Sequence, residues 1–550
     1  MHARSHLALR GERSRKLPIL ILAGALLVIP TPGFSQNLRI VAATGTPAPA
    51  AGLGVTINAG FSPVINDAGR VAFNASLAGP TVTNSNRSAI YIETGAGLAL
   101  VARAGSAAPG AGTGAVFDSP GSIVINNAGQ IAFVATVTGT GVTGDNNDGT
   151  WAGTAGNLRL VVRESAPAPG PPAGLVFNTL STPFVPLLDG QGRVAFFGDA
   201  VSTTNRYFGY WQENAGVIST IAIKSQQAPT FPAGVLFTDQ VSRPVQNDAG
   251  RIAFATSLNG APANADQVIW SNVSGSLQTV VRENDRAPGT PAGIVFNSVV
   301  TAPGLNNAGQ LAFLGEVRGS GVDNNNNQGI WSTAGGTLHL VAREAAAAPG
   351  GGVFSELTPP VINRLGETAF TGFTGVWAEE GATLQRVATS GQSAPGTPAG
   401  VTFVTNSFDQ LVFNGLGQTA FKAMLTGPSV TIDNDIGLWA QDPTGLLRLI
   451  AREGDSVEIS PGVFRTLLTL AFLGGEQSTV GSHSTGTGNE DGRQSGFNDA
   501  GELAFSASFS GGGGGVFVSR IAAVPEPSAI LLVASACVAL CCRRRGSWRV

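Results

Sequence analysis

Asn66-Asp67-Ala68-Gly69-Arg70-Val71-Ala72-Phe73 is the stretch whose reading decides the fold, because its pattern, Asn-x-x-Gly-x-x-Ala-Phe, returns along almost the whole chain. Close copies begin at Asn126, Asn247, Asn306, Asn363, Asn414 and Asn498, and a degenerate copy at Asp189 keeps the glycine, the alanine and the phenylalanine. Apolar residues stand on both sides of the motif, so it reads as a hairpin. Asn hydrogen-bonds locally, and Gly takes the left-handed conformation that closes a type I turn with a bulge. Eight copies of one turn are the mark of a scaffold rather than of a repeated ligand loop.

Each repeat carries four apolar stretches separated by turn residues. In the second repeat the strands are expected near Val116–Ile125, Gln130–Val137, Gly149–Trp151 and Leu158–Arg163, followed by the connection Ala168-Pro169-Gly170-Pro171-Pro172. No helical periodicity competes. Six of the seven tryptophans (Trp151, Trp211, Trp270, Trp331, Trp377, Trp439) occupy one position on the third strand, where Tyr91 and Phe517 stand in the first and last repeats. A large aromatic fixed in every repeat reads as packing between sheets.

Four short strands in eight repeats give an all-β fold, an eight-bladed β-propeller of four-stranded blades. The alternative is a β-solenoid, kept open by a repeat length above the ~40–50 residues of common propellers. The phase of the repeats distinguishes the two. The last repeat runs out of sequence after three strands, and the missing fourth, Leu38-Arg39-Ile40-Val41-Ala42, stands at the other end of the chain. A ring gains a clasp from that arrangement, whereas a solenoid gains nothing. Motif starts are 60, 63, 58, 59, 57, 51 and 84 residues apart, and the excess in the last interval falls in Gly474–Gly496, which reads as a flexible surface loop or, alternatively, a functional lid.

Residues 1–35 read as a signal peptide, with Arg4, Arg10, Arg13, Arg15 and Lys16 before the apolar Leu17–Ile29 and a small-residue cleavage site at Gly33-Phe34-Ser35. Residues 36–523 form the repeat domain. Residues 524–550 contain Pro525-Glu526-Pro527, an apolar run from Ala529 to Cys542 expected to be a hydrophobic helix, and Arg543-Arg544-Arg545. That order resembles the PEP-CTERM sorting signal of exopolysaccharide-producing Gram-negative bacteria. The resemblance implies Sec export, retention in the inner membrane through the C-terminal helix, cleavage near Pro525-Glu526-Pro527 by an exosortase, and delivery to the cell surface or matrix. The alternative is a plain membrane anchor with its arginines on the cytoplasmic side. The repeats themselves resemble the bacterial choice-of-anchor tandem-repeat family with the Asn-x-x-Gly-x-x-Ala-Phe motif, whose members have no established activity to carry over.

Composition narrows the function. All three cysteines lie in the tail, at Cys537, Cys541 and Cys542, so the repeats have no disulfide, thiolate nucleophile or cysteine metal site. Between residues 36 and 523 acids exceed Lys and Arg by ten, which argues against binding a nucleic-acid backbone. His339 takes a variable strand position and His483 the long insertion; no nucleophile elbow, phosphate loop or His-Glu-x-x-His motif is present. No catalytic residue and no required cofactor are therefore assigned. The one chemically suggestive feature is the loop before the third strand, where Asp145, Asn147 and Asp148, Asp323, Asn325 and Asn327, and Asp433 and Asp435 gather the oxygens that calcium takes, although the same residues build ordinary turns. The pairs Arg163-Glu164, Arg282-Glu283, Arg343-Glu344 and Arg452-Glu453 read as solvated or inter-repeat ion pairs. The expected function is a non-enzymatic surface or matrix scaffold that binds exopolysaccharide or another surface glycan. The alternative is a propeller glycan lyase or hydrolase with its site in the central channel.

Overall fold

The computed structural model describes residues 38–180, 185–473, 485–486 and 490–520. The expected signal helix, the tail helix and the sorting residues Pro525, Glu526, Pro527 and Arg543–Arg545 lie outside them. Among the described residues the only helical element is a single turn at Ala334–Gly336, and no helix is long and apolar enough to cross a membrane.

The strands form eight separate sheets, one per repeat and antiparallel except for one two-residue strand, so the eight-bladed propeller of four-stranded blades is the observed fold. Blade 1 runs through Thr56–Ile65, Val71–Ala78, Ser88–Thr94 and Gly97–Arg103, and blade 2 through Ala115–Ile125, Ile131–Gly139, Asp148–Thr154 and Asn157–Arg163. Blade 8 is assembled from both ends of the described chain. Val463–Ala471, Glu502–Phe509 and Gly514–Arg520 pair in order, and Leu38–Ala43 completes the sheet antiparallel to Gly514–Arg520, with Leu38 opposite Ser519 and Ala43 opposite Gly515.

The repeat motif forms the expected hairpin. In blade 1 the Gly69 N–H donates to the Asn66 carbonyl at 2.9 Å, and the Asn66 N–H to the Arg70 carbonyl at 3.1 Å. All eight motif glycines, from Gly69 to Gly501, have φ between +71° and +84°, a region that L side chains rarely adopt. The motif phenylalanine lies directly across the ladder from the third-strand aromatic in every blade, as in Phe133 opposite Trp151 and Phe505 opposite Phe517. Five of these Phe–Trp pairs stack with centroids 6.0–6.3 Å apart, and a first-strand phenylalanine such as Phe117 or Phe296 meets the same indole edge-on at 5.0 or 4.8 Å. The Pro-rich connections have a matching role: the indole N–H groups of Trp151, Trp211, Trp331 and Trp439 donate to the carbonyls of Pro109, Pro169, Pro288 and Pro395 at 2.9–3.1 Å. Each of these four indoles removes ~150–250 Å² from water while its one polar atom is satisfied. The apolar clusters span neighbouring blades, as where Val124, Ala132 and Val162 of blade 2 pack with Trp211 of blade 3. The core therefore lies between blades, and the packing role expected of the tryptophans is the observed one.

Two departures from the expected strands matter for function. The first strand is broken in blades 3, 4, 5 and 7, for instance into Val295–Ser298 and Gly304–Leu305, and runs unbroken for ten and eleven residues in blades 1 and 2. The Gly474–Gly496 interval is also not simply a surface loop. Thr485–Gly486 pairs in parallel with Asp409–Phe413 of blade 7, and residues 490–496 are buried throughout.

Candidate functional site

First strands of successive blades touch one another, so the motif turns converge on the middle of the ring. There the motif asparagine does more than shape its own turn. Its Oδ1 accepts the N–H four residues on, as at Asn66 and Arg70 (3.0 Å), and its Nδ2 donates to the carbonyl of the next blade's motif residue. Asn66 reaches Asn126, Asn126 reaches Asp189, Asn247 reaches Asn306, Asn306 reaches Asn363, Asn414 reaches Asn498, and Asn498 reaches back to Asn66, all at 2.8–3.0 Å. At Asp189 the carboxylate has no N–H to pass on and binds Arg193 instead. These asparagines are buried, so each bond stands where a lost partner costs ~1–3 kcal/mol. A second row runs beside the first: Asp67 and Asn127 exchange hydrogen bonds at 2.6 and 2.9 Å, Asp248 and Asn307 do the same at 2.9 Å, and the Asp499 N–H donates to Asp67 at 2.9 Å.

A strap of residues 490–497 lies across this centre. The N–H groups of Gln246, Leu188 and Ile65 donate to the carbonyls of Asp491, Gly492 and Ser495 at 2.9, 3.2 and 2.8 Å, and Gln494 Nε2 donates to the Ile123 carbonyl at 2.6 Å. One segment thus joins the first strands of blades 1, 2, 3 and 4, and Glu490 accepts from the Asn307 N–H of blade 5 at 3.3 Å. Gly492 is required by two constraints at once: its φ is +71°, and a Cβ there would lie 2.8 Å from the Gln246 carbonyl oxygen. Asp491 and Arg493, 1% and 9% exposed, form an ion pair within the strap. Burial pushes the Glu490 carboxyl up to about 7, with Asp499 and Asp248 adding to the rise and the Asn307 N–H and Arg364 opposing it. Burial also raises Asp499, with Asp67 adding and Arg364, paired to it at 2.8 Å, opposing. Sequence reasoning missed this strap as a structural element. Its signal was the charged run Glu490-Asp491-Gly492-Arg493 within an otherwise Gly-, Ser- and Thr-rich insertion.

Beside the strap, between blades 1 and 2, opens a cleft of about 350 Å³, walled by Phe61, Asn74, Ser122 and Gln494 among others.

The loops proposed for calcium are held differently. Asp145, Asp323 and Asp433 are exposed, and the residue that organises each turn is an asparagine next to them. Asn146, Asn326 and Asn434 accept the N–H three residues earlier and donate to the carbonyl five residues earlier. The arginine ending each fourth strand then caps the turn, with Arg163, Arg343 and Arg452 donating through Nε to the Asn146, Asn326 and Asn434 carbonyls at 2.6–2.9 Å. The carbonyls of Asn147, Asn327 and Asp435 pair with the second strand, Asp323 accepts from the Asn325 N–H at 2.8 Å, and the Asp148 N–H donates to Glu164 at 2.9 Å. The guanidinium groups thus take the oxygens of the neighbouring asparagines, and among the described residues no group of three His, Cys, Asp or Glu could hold a metal ion. Melting curves with and without a calcium chelator are expected to superimpose; a lower melting temperature with chelator would restore these loops as sites. The Arg-Glu pairs are likewise not solvated. Glu164, Glu283, Glu344 and Glu453 are 4–7% exposed, and Glu164, Glu283 and Glu344 cap backbone N–H groups of the third-strand entry. His339 is half-buried, its Nδ1 3.1 Å from the Thr337 carbonyl.

Fold and centre together define an eight-bladed β-propeller clasped by its N-terminal strand and strapped across the middle by its own chain. Residues 33–375 and 372–531 match a family of unknown function, DUF7453, and the chain belongs to that family. No curated protein is a detectable relative. Similar solved structures include the β-propeller domain of the Trilobed protease from Pyrococcus furiosus, described as having an open velcro topology (9% identity, 73% of this chain and 100% of that one, TM-score 0.37). They also include an acylaminoacyl peptidase of Pyrococcus horikoshii (11% identity, 72% of this chain, 53% of that one, TM-score 0.36) and the GH93 α-L-arabinofuranosidase of Fusarium graminearum (8% identity, 60% and 90%, TM-score 0.29). The chain spans about half the length of that peptidase. At these values the similarities say nothing of activity or ligand.

Proposed function

We infer that the protein is an exported, non-catalytic scaffold that binds polysaccharide or another surface glycan. In this reading the tail carrying Arg543, Arg544 and Arg545 holds the precursor in the inner membrane of a Gram-negative bacterium until an exosortase cuts near Pro525-Glu526-Pro527. The observation that carries the non-catalytic part is the strap. A central-channel lyase or hydrolase presents its acids to substrate at the channel mouth. Here Glu490 and Asp491 are 6% and 1% exposed, and the repeat-equivalent Asp67, Asp248 and Asp499 are bonded to the next blade or to Arg364. Polar residues repeated from blade to blade and engaged with one another are a frame rather than an active site.

The test is affinity electrophoresis of the full chain in gels containing polysaccharides, run in parallel with a reducing-end assay and with absorbance at the wavelength of unsaturated uronates. Retarded migration without product is the expected result. Release of reducing ends or of unsaturated sugar would establish the enzyme instead. The sorting part is checked by the intact mass of surface-extracted protein, which is expected to lack Cys541 and Cys542; finding both still attached would make the tail a simple anchor.

A further inference from the structure

The cleft between blades 1 and 2 departs from the repeat in ways that a frame does not need. Asn74 follows the motif phenylalanine of blade 1, and it is only 6% exposed, with its Oδ1 buried and without a hydrogen-bond partner. At the same position four other blades are apolar, with Val134, Phe197, Ala255 and Leu314. Three are polar and partnered: Thr371 bonds Thr358 at 2.9 Å, Lys422 pairs with Asp409 at 3.4 Å, and Ser506 donates to the Ala471 carbonyl at 3.3 Å. Only blade 1 puts an amide there and leaves its carbonyl unused at the cleft wall. An unpaired buried acceptor is costly to keep, which points to a donor supplied from outside.

The backbone is strained at the same place, as it also is at Gln410, the equivalent position of blade 7. The unbroken first strands of blades 1 and 2 slip register between Phe61 and Val64 and between Gly121 and Val124. At these bulges Ser62 and Ser122 have φ of +51° and +49°, a region that non-glycine residues occupy under strain, and both serines line the cleft. Ser88 and Ser119 join them, and Gln494 of the strap lines the cleft beside blade 2, fixed through its Nε2 to the Ile123 carbonyl. Phe61 stands at the same wall, 48% exposed. Opposite, Gly121 leaves space: a Cβ there would meet nothing nearer than Asn74 Oδ1, at 4.0 Å.

We propose that this cleft is a binding site for one uncharged sugar unit of a glycan chain. The volume, about 350 Å³, is at the small end of ligand sites. Its lining offers hydroxyls and amides, with no charged side chain, so it suits a ligand rich in hydroxyl groups and without a carboxylate, sulfate or amine. The Phe61 ring supplies a flat apolar surface for the C–H face of a pyranose, and the Asn74 amide, its Oδ1 covered in the free protein, turns to accept from a ligand hydroxyl. This assignment rests on the glycan-binding reading above and gives it an address.

The experiment is calorimetric titration of the full chain with neutral hexose oligosaccharides and, as comparator, oligosaccharides of uronic acid. Gly121→Leu fills the cleft from blade 2 without backbone strain, and Phe61→Ala removes the exposed ring. Each is expected to weaken binding of the neutral ligand roughly tenfold or more while leaving the melting temperature of the protein unchanged. Wild-type binding that survives both substitutions would place the glycan site elsewhere and overturn the cleft while leaving the scaffold reading intact. A preference for the uronic-acid ligand would overturn the uncharged assignment. Failure of the wild-type protein to bind any glycan would overturn the scaffold reading and the cleft with it.

Discussion

Removing Leu38–Ala43 from the mature protein is expected to lower its melting temperature by roughly 5–10 °C and to promote self-association. Those six residues pair along Gly514–Arg520. Val41 and Ala42 share a buried cluster with Val516 and Val518 of blade 8 and with Ile57 and Val71 of blade 1, while Leu38 and Ile40 pack on the cluster containing Ile450 and Phe517. The clasp also continues into blade 1: Thr44 Oγ1 lies 2.7 Å from the Asn58 carbonyl, and the Gly514 N–H donates to it at 2.9 Å. Full burial of a Val, Leu or Ile side chain is worth about 1.5–3 kcal/mol. With three small buried residues and two partly buried ones, the strand contributes on the order of 5 kcal/mol, a large share of the ~5–15 kcal/mol that separates folded from unfolded proteins. Its loss also leaves Gly514–Arg520 as an unpaired edge, open to another chain. Calorimetry and light scattering on the chain with and without the strand provide the measurement. A shift of about a degree or less, where several kcal/mol predict far more, would mean that the ring holds without its clasp.

That clasp was legible because it depends on phase alone: Leu38-Arg39-Ile40-Val41-Ala42 matches Leu158–Val162 and Leu447–Ala451, and the last repeat lacks its fourth strand. The hairpins were legible for a similar reason, since Asn and Gly at fixed offsets have one local geometry that suits both. What one repeat does to the next is another matter. The Asn66 side chain can be assigned to its own turn from sequence, but its bond to the Asn126 carbonyl exists only once the ring brings the two turns together. The strap is hidden for the same reason, as Gly492 looks like any flexible-loop glycine until the Gln246 carbonyl lies against it. The acidic loops show a different limit. Asp145 and Asp323 drew attention as charged oxygens, while the uncharged Asn146 and Asn326 beside them, together with Arg163 and Arg343, hold the turns. Asn74 was visible all along as the single amide in a column of repeats, but a column is meaningful only when its neighbours are known to be buried.

Stability is expected to fall as pH rises from about 4.5 to about 7, the reverse of ordinary acid denaturation, and part of that slope is expected to disappear in Glu490→Gln. The Glu490 carboxyl is pushed up to about 7 in the folded ring against 4.5 for the unperturbed group, because its burial within the strap removes its water and Asp499 and Asp248 oppose its charge. Below about pH 4.5 the group is protonated in both states. Between there and pH 7 the folded protein holds a proton that the unfolded chain has released, so each step upward in pH favours unfolding, and above pH 7 the effect is constant. The difference between the two values corresponds to about 3 kcal/mol as an order of magnitude. Arg364 and the Asn307 N–H act against it but do not cancel it, and the neighbouring Asp491 is paired with Arg493. Asp248 and Asp499 are raised in the same direction, as are Asp455 to about 6 and Glu453 to about 7 near the edge of blade 7. A glutamine at 490 keeps an oxygen for the Asn307 N–H while removing the titration, so the variant is expected to be more stable than the wild type at pH 8 and similar to it at pH 5. Denaturant unfolding of both proteins across this range measures the difference directly. A variant whose stability tracks the wild type at every pH would show that Glu490 is solvated and that the strap is not seated across the centre of the ring.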